Sequence, residues 1–140
     1  MQTAIAFDTT FEQRLAKLDL TRVMEKVSKE TGMEGSDLVA AEDLYRKFLT
    51  LKYKNPTVDM APPVIVDHVW DLHVQFTKQY RTDCDMLFGC FLDHNPHVES
   101  DGWDVEPAFA ATQNLFQSEF DINFTRTGLR REYIQPAMCN

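Results

Sequence analysis

Apolar side chains recur at steps of three and four along most of the chain, and no alternating run is long enough to demand a sheet. Thr9-Thr10-Phe11-Glu12-Gln13 contains two overlapping capping boxes, Thr9 with Glu12 and Thr10 with Gln13, so a helix starts there. Phe11, Leu15 and Leu18 keep helical spacing, after which the apolar phase moves to Leu20, Val23 or Met24, and Val27. Either that helix continues with a wide apolar face or it breaks near Asp19, and Gly32 supplies a stop. Ser36 can cap another helix, with Asp37 in its first turn and Leu38, Ala41, Leu44, Tyr45, Phe48 and Leu51 as its apolar positions. Lys52 to Pro62 reads as a loop through Asn55-Pro56, and Pro63 suits the first position of the helix that follows. From Val66 the stripe runs through Trp70, His73, Thr77, Tyr80, Cys84, Leu87 or Phe88, and Phe91. It describes one long helix, or two with a bend near Phe76-Thr77. Asn95-Pro96 and Ser100-Asp101-Gly102 mark a polar loop, and Pro107 opens a last helix carrying Phe109, Leu115, Phe116 and Phe120. The tail beyond Asp121 keeps Ile122, Phe124, Leu129, Tyr133 and Ile134, apolar enough to dock.

The pattern predicts an all-α fold, a compact irregular bundle of about five helices forming a single domain over residues 1–140. Hydrophobic residues are 44% of the chain, which rules out wholesale disorder and leaves enough for a core. Fourteen Lys and Arg against 22 Asp and Glu give a formal net charge of −8. A field of that sign repels phosphate backbones, so direct nucleic-acid binding is not expected. Between Asp83 and Glu106 stand Asp83, Asp85, Asp93, Glu99, Asp101, Asp104 and Glu106 with no Lys or Arg. That run reads either as a solvated surface that aids solubility or as an acidic face for a basic partner protein, and Trp103, beside Asp101, Asp104 and Glu106, either anchors that interface or pins its loop to the bundle.

Cys84, Cys90 and Cys139 are odd in number and form no C-x-x-C, so neither a disulfide framework nor a zinc knuckle is expected. Cys84 and Cys90 read as buried, inert thiols among Met86, Leu87, Phe88 and Phe91. The first residues lack a basic signal-peptide start, and the longest apolar run, Met60 to Val66, holds two prolines and is too short to span a bilayer. The expectation is a cytoplasmic chain without membrane attachment.

All four histidines fall between positions 68 and 97, with Asp67, Asp71 and Asp93 close by. Neutral imidazole and carboxylate are ordinary ligands for a divalent transition metal such as zinc or iron. Asp67 and Asp71 are one turn apart and share a helix face. His73 lies roughly 240° round the helix from Asp67 and joins the Trp70 stripe instead. The expected cluster is therefore His73 with His94 or His97 and one aspartate from the following loop, such as Asp93. Against it stands a purely structural role, with His73 hydrogen-bonded in the core beside Trp70 and with His94 and His97 as ordinary loop residues. No nucleotide-binding loop, hydrolase elbow, zinc-protease pair or EF-hand spacing is present.

The blocks Val66-Asp67-His68-Val69-Trp70-Asp71-Leu72-His73, Thr77 with Tyr80, Asp83-Cys84 with Phe88-Gly89, and Asp93-His94-Asn95-Pro96 carry a resemblance, with Tyr45-Arg46-Lys47-Phe48-Leu49 upstream. Over about residues 36–97 the chain resembles the helical domain of the glycine-rich domain-containing protein family of plants and bacteria, without the glycine-rich segment. That family shows V-D-x-x-W-H-x-H, T-x-x-Y, D-C-x-x-x-F-G and H-H-x-P. The resemblance implies a helical fold and candidate residues but no reaction. Asp71 and Asp93 stand where the pattern has histidines, so a histidine cluster would be retuned or lost here. The leading expectation is a protein-interaction module, a regulator or inhibitor of a basic partner. The alternative is a metal-binding domain or metal-dependent enzyme.

Overall fold

Thr10 opens the first described helix of the computed structural model, which describes residues 10–95 and 105–124. Its hydroxyl accepts the Gln13 N–H at 3.1 Å while the Gln13 side chain accepts the Thr10 N–H at 3.0 Å. The second of the two overlapping boxes thus starts α1 (Phe11–Ala16); Thr9, the head of the first, lies outside the described residues. The chain breaks near Asp19, whose Oδ1 accepts both the N–H and the hydroxyl of Thr21 and so starts α2 (Thr21–Thr31). Gly32 ends α2 in the left-handed conformation, φ 80°, where a side chain would be strained.

The third helix, α3 (Gly35–Lys54), begins one residue before Ser36, which lies in its first turn and does not cap it; Glu34, at the cap position, makes no side-chain capping bond. Pro63 stands just before α4 (Val64–Gln75) and not inside it. The long stripe is two helices: Phe76 leaves helical geometry at φ −84°, ψ 70°, and α5 (Thr77–Phe88) follows at once. Gly89, φ 73°, closes α5. The last described helix, α6 (Val105–Phe120), begins two residues before Pro107.

The fold is all-α, with six helices and no strand among the described residues. α4 packs against α2, α3 and α5 and forms the centre of the bundle. Tyr45, Phe48 and Leu49 of α3 meet Val66, Val69, Trp70 and Leu72 of α4, with Val23 and Val27 of α2, Tyr80 and Leu87 of α5, and Phe116 of α6 around them. Each such side chain contributes about 1.5–3 kcal/mol through burial. Arg46 ties α1 to α3 by donating to the carbonyls of Leu15 and Leu18 at 2.8 and 2.7 Å, the first of which also accepts the Leu18 N–H at 3.0 Å. Thr112 accepts the Ala61 N–H at 2.9 Å and so fastens the loop before α4 to α6.

Two expectations about the stripe need correction. Cys84 is buried, but Cys90 is exposed, and Phe91 is 51% exposed. The cause is the turn at Gly89, which takes the chain out of helical phase before either residue. Ile122 and Phe124 pack against the core, whereas Leu129, Tyr133, Ile134 and Cys139 lie outside the described residues. No described helix is long and apolar enough to cross a membrane.

Candidate metal centre

Along α4, Asp67 and Asp71 project about 40° apart, with Trp70 on the flank of the same sector. After Gly89 turns the chain, Cys90 to Asn95 pass back over this sector. The His94 ring stacks on the Trp70 indole, centroids 3.7 Å apart and planes within 4°. That stack carries His94 Nε2 to 3.2 Å from Asp67 Oδ1 and 2.8 Å from Asp71 Oδ1. The nitrogen is fully enclosed, yet its N–H direction lines up with neither oxygen well enough for a regular hydrogen bond. Burial alone would lower the His94 pKa; close contact with Asp67 and Asp71, and attraction to both charges, outweigh it and raise the pKa to about 9.

One ligand atom from each of these three residues can be chosen so that all lie within 4.8 Å of one another. With ligand–metal distances of about 2.1 Å, the 2.8 and 3.2 Å separations subtend roughly 84° and 99° at a shared ion. Those angles are near the right angles of octahedral coordination and smaller than tetrahedral ones. The Asp71 side chain is 38% exposed, so the trio opens to solvent on that side, while Asp67 and His94 are largely covered.

His73 does not join His94. Tyr45 O–H donates to its Nδ1 at 2.7 Å, and its Nε2–H donates to Asp83 Oδ2 at 2.8 Å. The carboxylate fixes the Nε2–H tautomer and leaves Nδ1 to accept. Burial raises the Tyr45 pKa well above the usual value, so this hydroxyl keeps its proton. With both ring nitrogens occupied in the core, the expected pairing of His73 with His94 is corrected to a structural role. Asp83, which also accepts from Gln79 at 3.1 Å, belongs to this network and not to an acidic surface.

His68 is buried between α4 and α2, its Nε2 without a hydrogen-bond partner and 3.8 Å from Glu30 Oε1. Burial lowers its pKa despite Glu30, Asp71 and Asp67. Asp93 is exposed and stands outside the trio. His97, Asp101, Trp103 and Asp104 lie outside the described residues; Glu106 is exposed in the first turn of α6. Reading Trp70 as core, correct in itself, missed its second use as the surface on which His94 stacks. An open groove of about 810 Å³, lined among others by Arg22, Glu25, Lys26, Lys29, Glu42 and Phe76, includes none of the trio and mixes both signs of charge.

Compared with known protein families, curated proteins and solved structures, the chain matches none.

Proposed function

We propose that this chain is a divalent-metal-binding domain whose ion is held by Asp67, Asp71 and His94. One observation carries the reading: an enclosed imidazole nitrogen lies 3.2 and 2.8 Å from two carboxylate oxygens, an arrangement that holds positive charge, either a proton on His94 or a cation shared by all three groups. Two carboxylates and one imidazole suit manganese or iron(II), and the near-right angles favour these over tetrahedral zinc. Three protein ligands leave coordination positions for water or a substrate, which is the arrangement of a reactive site rather than a closed structural one. Asp67, Trp70 and His94 are among the positions through which the chain resembles the glycine-rich domain-containing family, and Asp71 replaces a histidine of that pattern. An exchange between two ligand types is what a metal-binding position tolerates.

The test is titration of chelator-treated protein with Mn²⁺, anaerobic Fe²⁺ and Zn²⁺. One ion per chain is expected, with binding lost in Asp67→Asn and His94→Gln while helical content is kept. Absence of saturable binding, or binding that both variants retain, rejects the reading.

A second reading is favoured by Phe91, whose half-exposed ring stands two residues from exposed Asp93 and in the same stretch as exposed Asp85. An apolar ring edged by acids suits the docking of a basic protein partner. Binding of a basic peptide that weakens with salt and with Phe91→Ala supports it; indifference to both removes it.

A further inference from the structure

The geometry points to Tyr80 as the positioning residue of the ion site, acting on His94 through the carbonyl of Leu92 and through Trp70; this rests on the metal-site reading of Asp67, Asp71 and His94. An indole N–H can only donate, so Trp70 Nε1 donates to the Tyr80 oxygen at 2.9 Å. The Tyr80 hydroxyl proton must then point away from the indole, and it meets Leu92 O at 2.6 Å. The direction of both bonds is thereby fixed. Leu92 is two residues before His94.

These side-chain bonds matter because the loop has little else. Among the described residues, no backbone–backbone hydrogen bond involves residues 90–95. Leu92 is held instead by Tyr80, and its main chain also meets the Cys84 thiol. Tyr80 itself is immobile: it is 1% exposed and its ring stands edge-on to His73 at 4.8 Å and to Phe91 at 5.3 Å. Burial raises its pKa, so it remains a donor. Trp70 is wedged between Phe48, at 5.0 Å, and His94. Trp70 thus sets the plane of the His94 ring, and Tyr80 sets how far along that plane the main chain lets it slide. Both restraints act before any ion arrives, and a preformed ligand loses less freedom on binding.

Tyr80→Phe keeps the ring and deletes the hydroxyl. Mn²⁺ affinity should fall about 10–100-fold, the usual effect of removing an outer support of a ligand. The Mn²⁺ electron-paramagnetic-resonance spectrum of the loaded variant should also change, which a general loss of stability would not cause. Thr112→Val removes an equally buried hydroxyl, bonded only to Ala61 and Ala108 and away from His94, and should leave affinity and spectrum unchanged. In the wild type, coupling is reciprocal, so saturation with Cd²⁺, a diamagnetic ion that accepts six-coordination, should slow exchange of the Trp70 indole N–H about tenfold or more. That measurement stands even if Tyr80→Phe folds poorly. The inference is overturned if Tyr80→Phe binds within twofold of wild type, if Thr112→Val loses as much, or if the indole exchange rate ignores the ion. Failure of the metal reading itself is distinct: the wild type would then bind no ion, or Asp67→Asn would bind as well as wild type, and the inference would fall with it.

Discussion

Replacing Tyr45 by Phe removes a single oxygen from the middle of the bundle and should cost about 2 kcal/mol. The figure follows from burial. Tyr45 is 0% and His73 1% exposed, so water cannot take the hydroxyl's place at Nδ1. The variant loses one hydrogen bond, worth about 1 kcal/mol net, and strands an acceptor whose desolvation costs about 1–3 kcal/mol when unsatisfied. The edge-to-face contact of the two rings, centroids 5.7 Å apart, survives because the Phe ring fills the same space. For a chain of this size the melting temperature should drop by about 6–10 °C. Urea titration followed by far-ultraviolet circular dichroism gives the free energy directly, and an unchanged denaturant slope shows that the same surface unfolds. Tyr53→Phe is the control. Tyr53 is exposed, and losing its hydroxyl should cost less than about 0.5 kcal/mol. Equal losses in the two variants would mean that Nδ1 of His73 has another partner, and the Tyr45–His73–Asp83 network would no longer explain why His73 stays apart from Asp67, Asp71 and His94.

In metal-free protein, the His94 charge contributes stability that is fully present below its unfolded value near pH 6.5 and lost as pH rises through about 9. Solvent at half-open Asp71 limits this to about 1–2 kcal/mol, read as the wild-type minus His94→Gln difference in urea titrations from pH 6 to 10; a constant difference would show that no charge is held there. His68 works in the opposite sense, since its lowered pKa makes stability fall as pH drops below about 6.5, and His68→Gln should flatten that arm of the profile. Metal affinity should climb with pH between about 7 and 9, because His94 must shed its proton to become a ligand, and calorimetry in two buffers should detect that proton. Trp70→Ala should cost about 3–5 kcal/mol, far beyond the effect of an exposed substitution, by the same urea assay. Gly89→Ala should cost about 1 kcal/mol although nothing crowds the added methyl, because φ is +73° there; no measurable change would mean that the turn relaxes freely.

Local features were legible in the sequence and distant meetings were not. The Thr10–Gln13 box and the Gly32 stop depend on neighbours within four residues, and both form as expected. The break at Phe76 was one of two readings, because periodicity alone cannot tell a bent stripe from a straight one. Ser36 misled, since a serine inside a first turn looks the same in sequence as one that caps it. At the site, the wheel correctly separates His73 from Asp67 and Asp71. Its real partners, Tyr45 and Asp83, sit 28 and 10 residues away, and no spacing rule pairs them. His94 reaches α4 only because Gly89 reverses the chain at a particular residue, a three-dimensional fact that the motif H-x-x-H does not encode.

The single residue between α4 and α5 sets a rule about how this sequence can vary. Trp70 bonds Tyr80 and His73 bonds Asp83, and both pairs are ten positions apart. On an unbroken helix ten residues span about 15 Å, so neither pair would meet. Phe76 lets the chain fold back, and the two pairs form together like teeth on either side of one hinge. Adding one residue there would turn α5 by about 100° and advance it about 1.5 Å, parting both pairs at once. Relatives that share this arrangement should therefore never vary in length at this junction. In them the spacings Trp-x₉-Tyr and His-x₉-Asp should survive as a paired signature even where the surrounding helices have diverged.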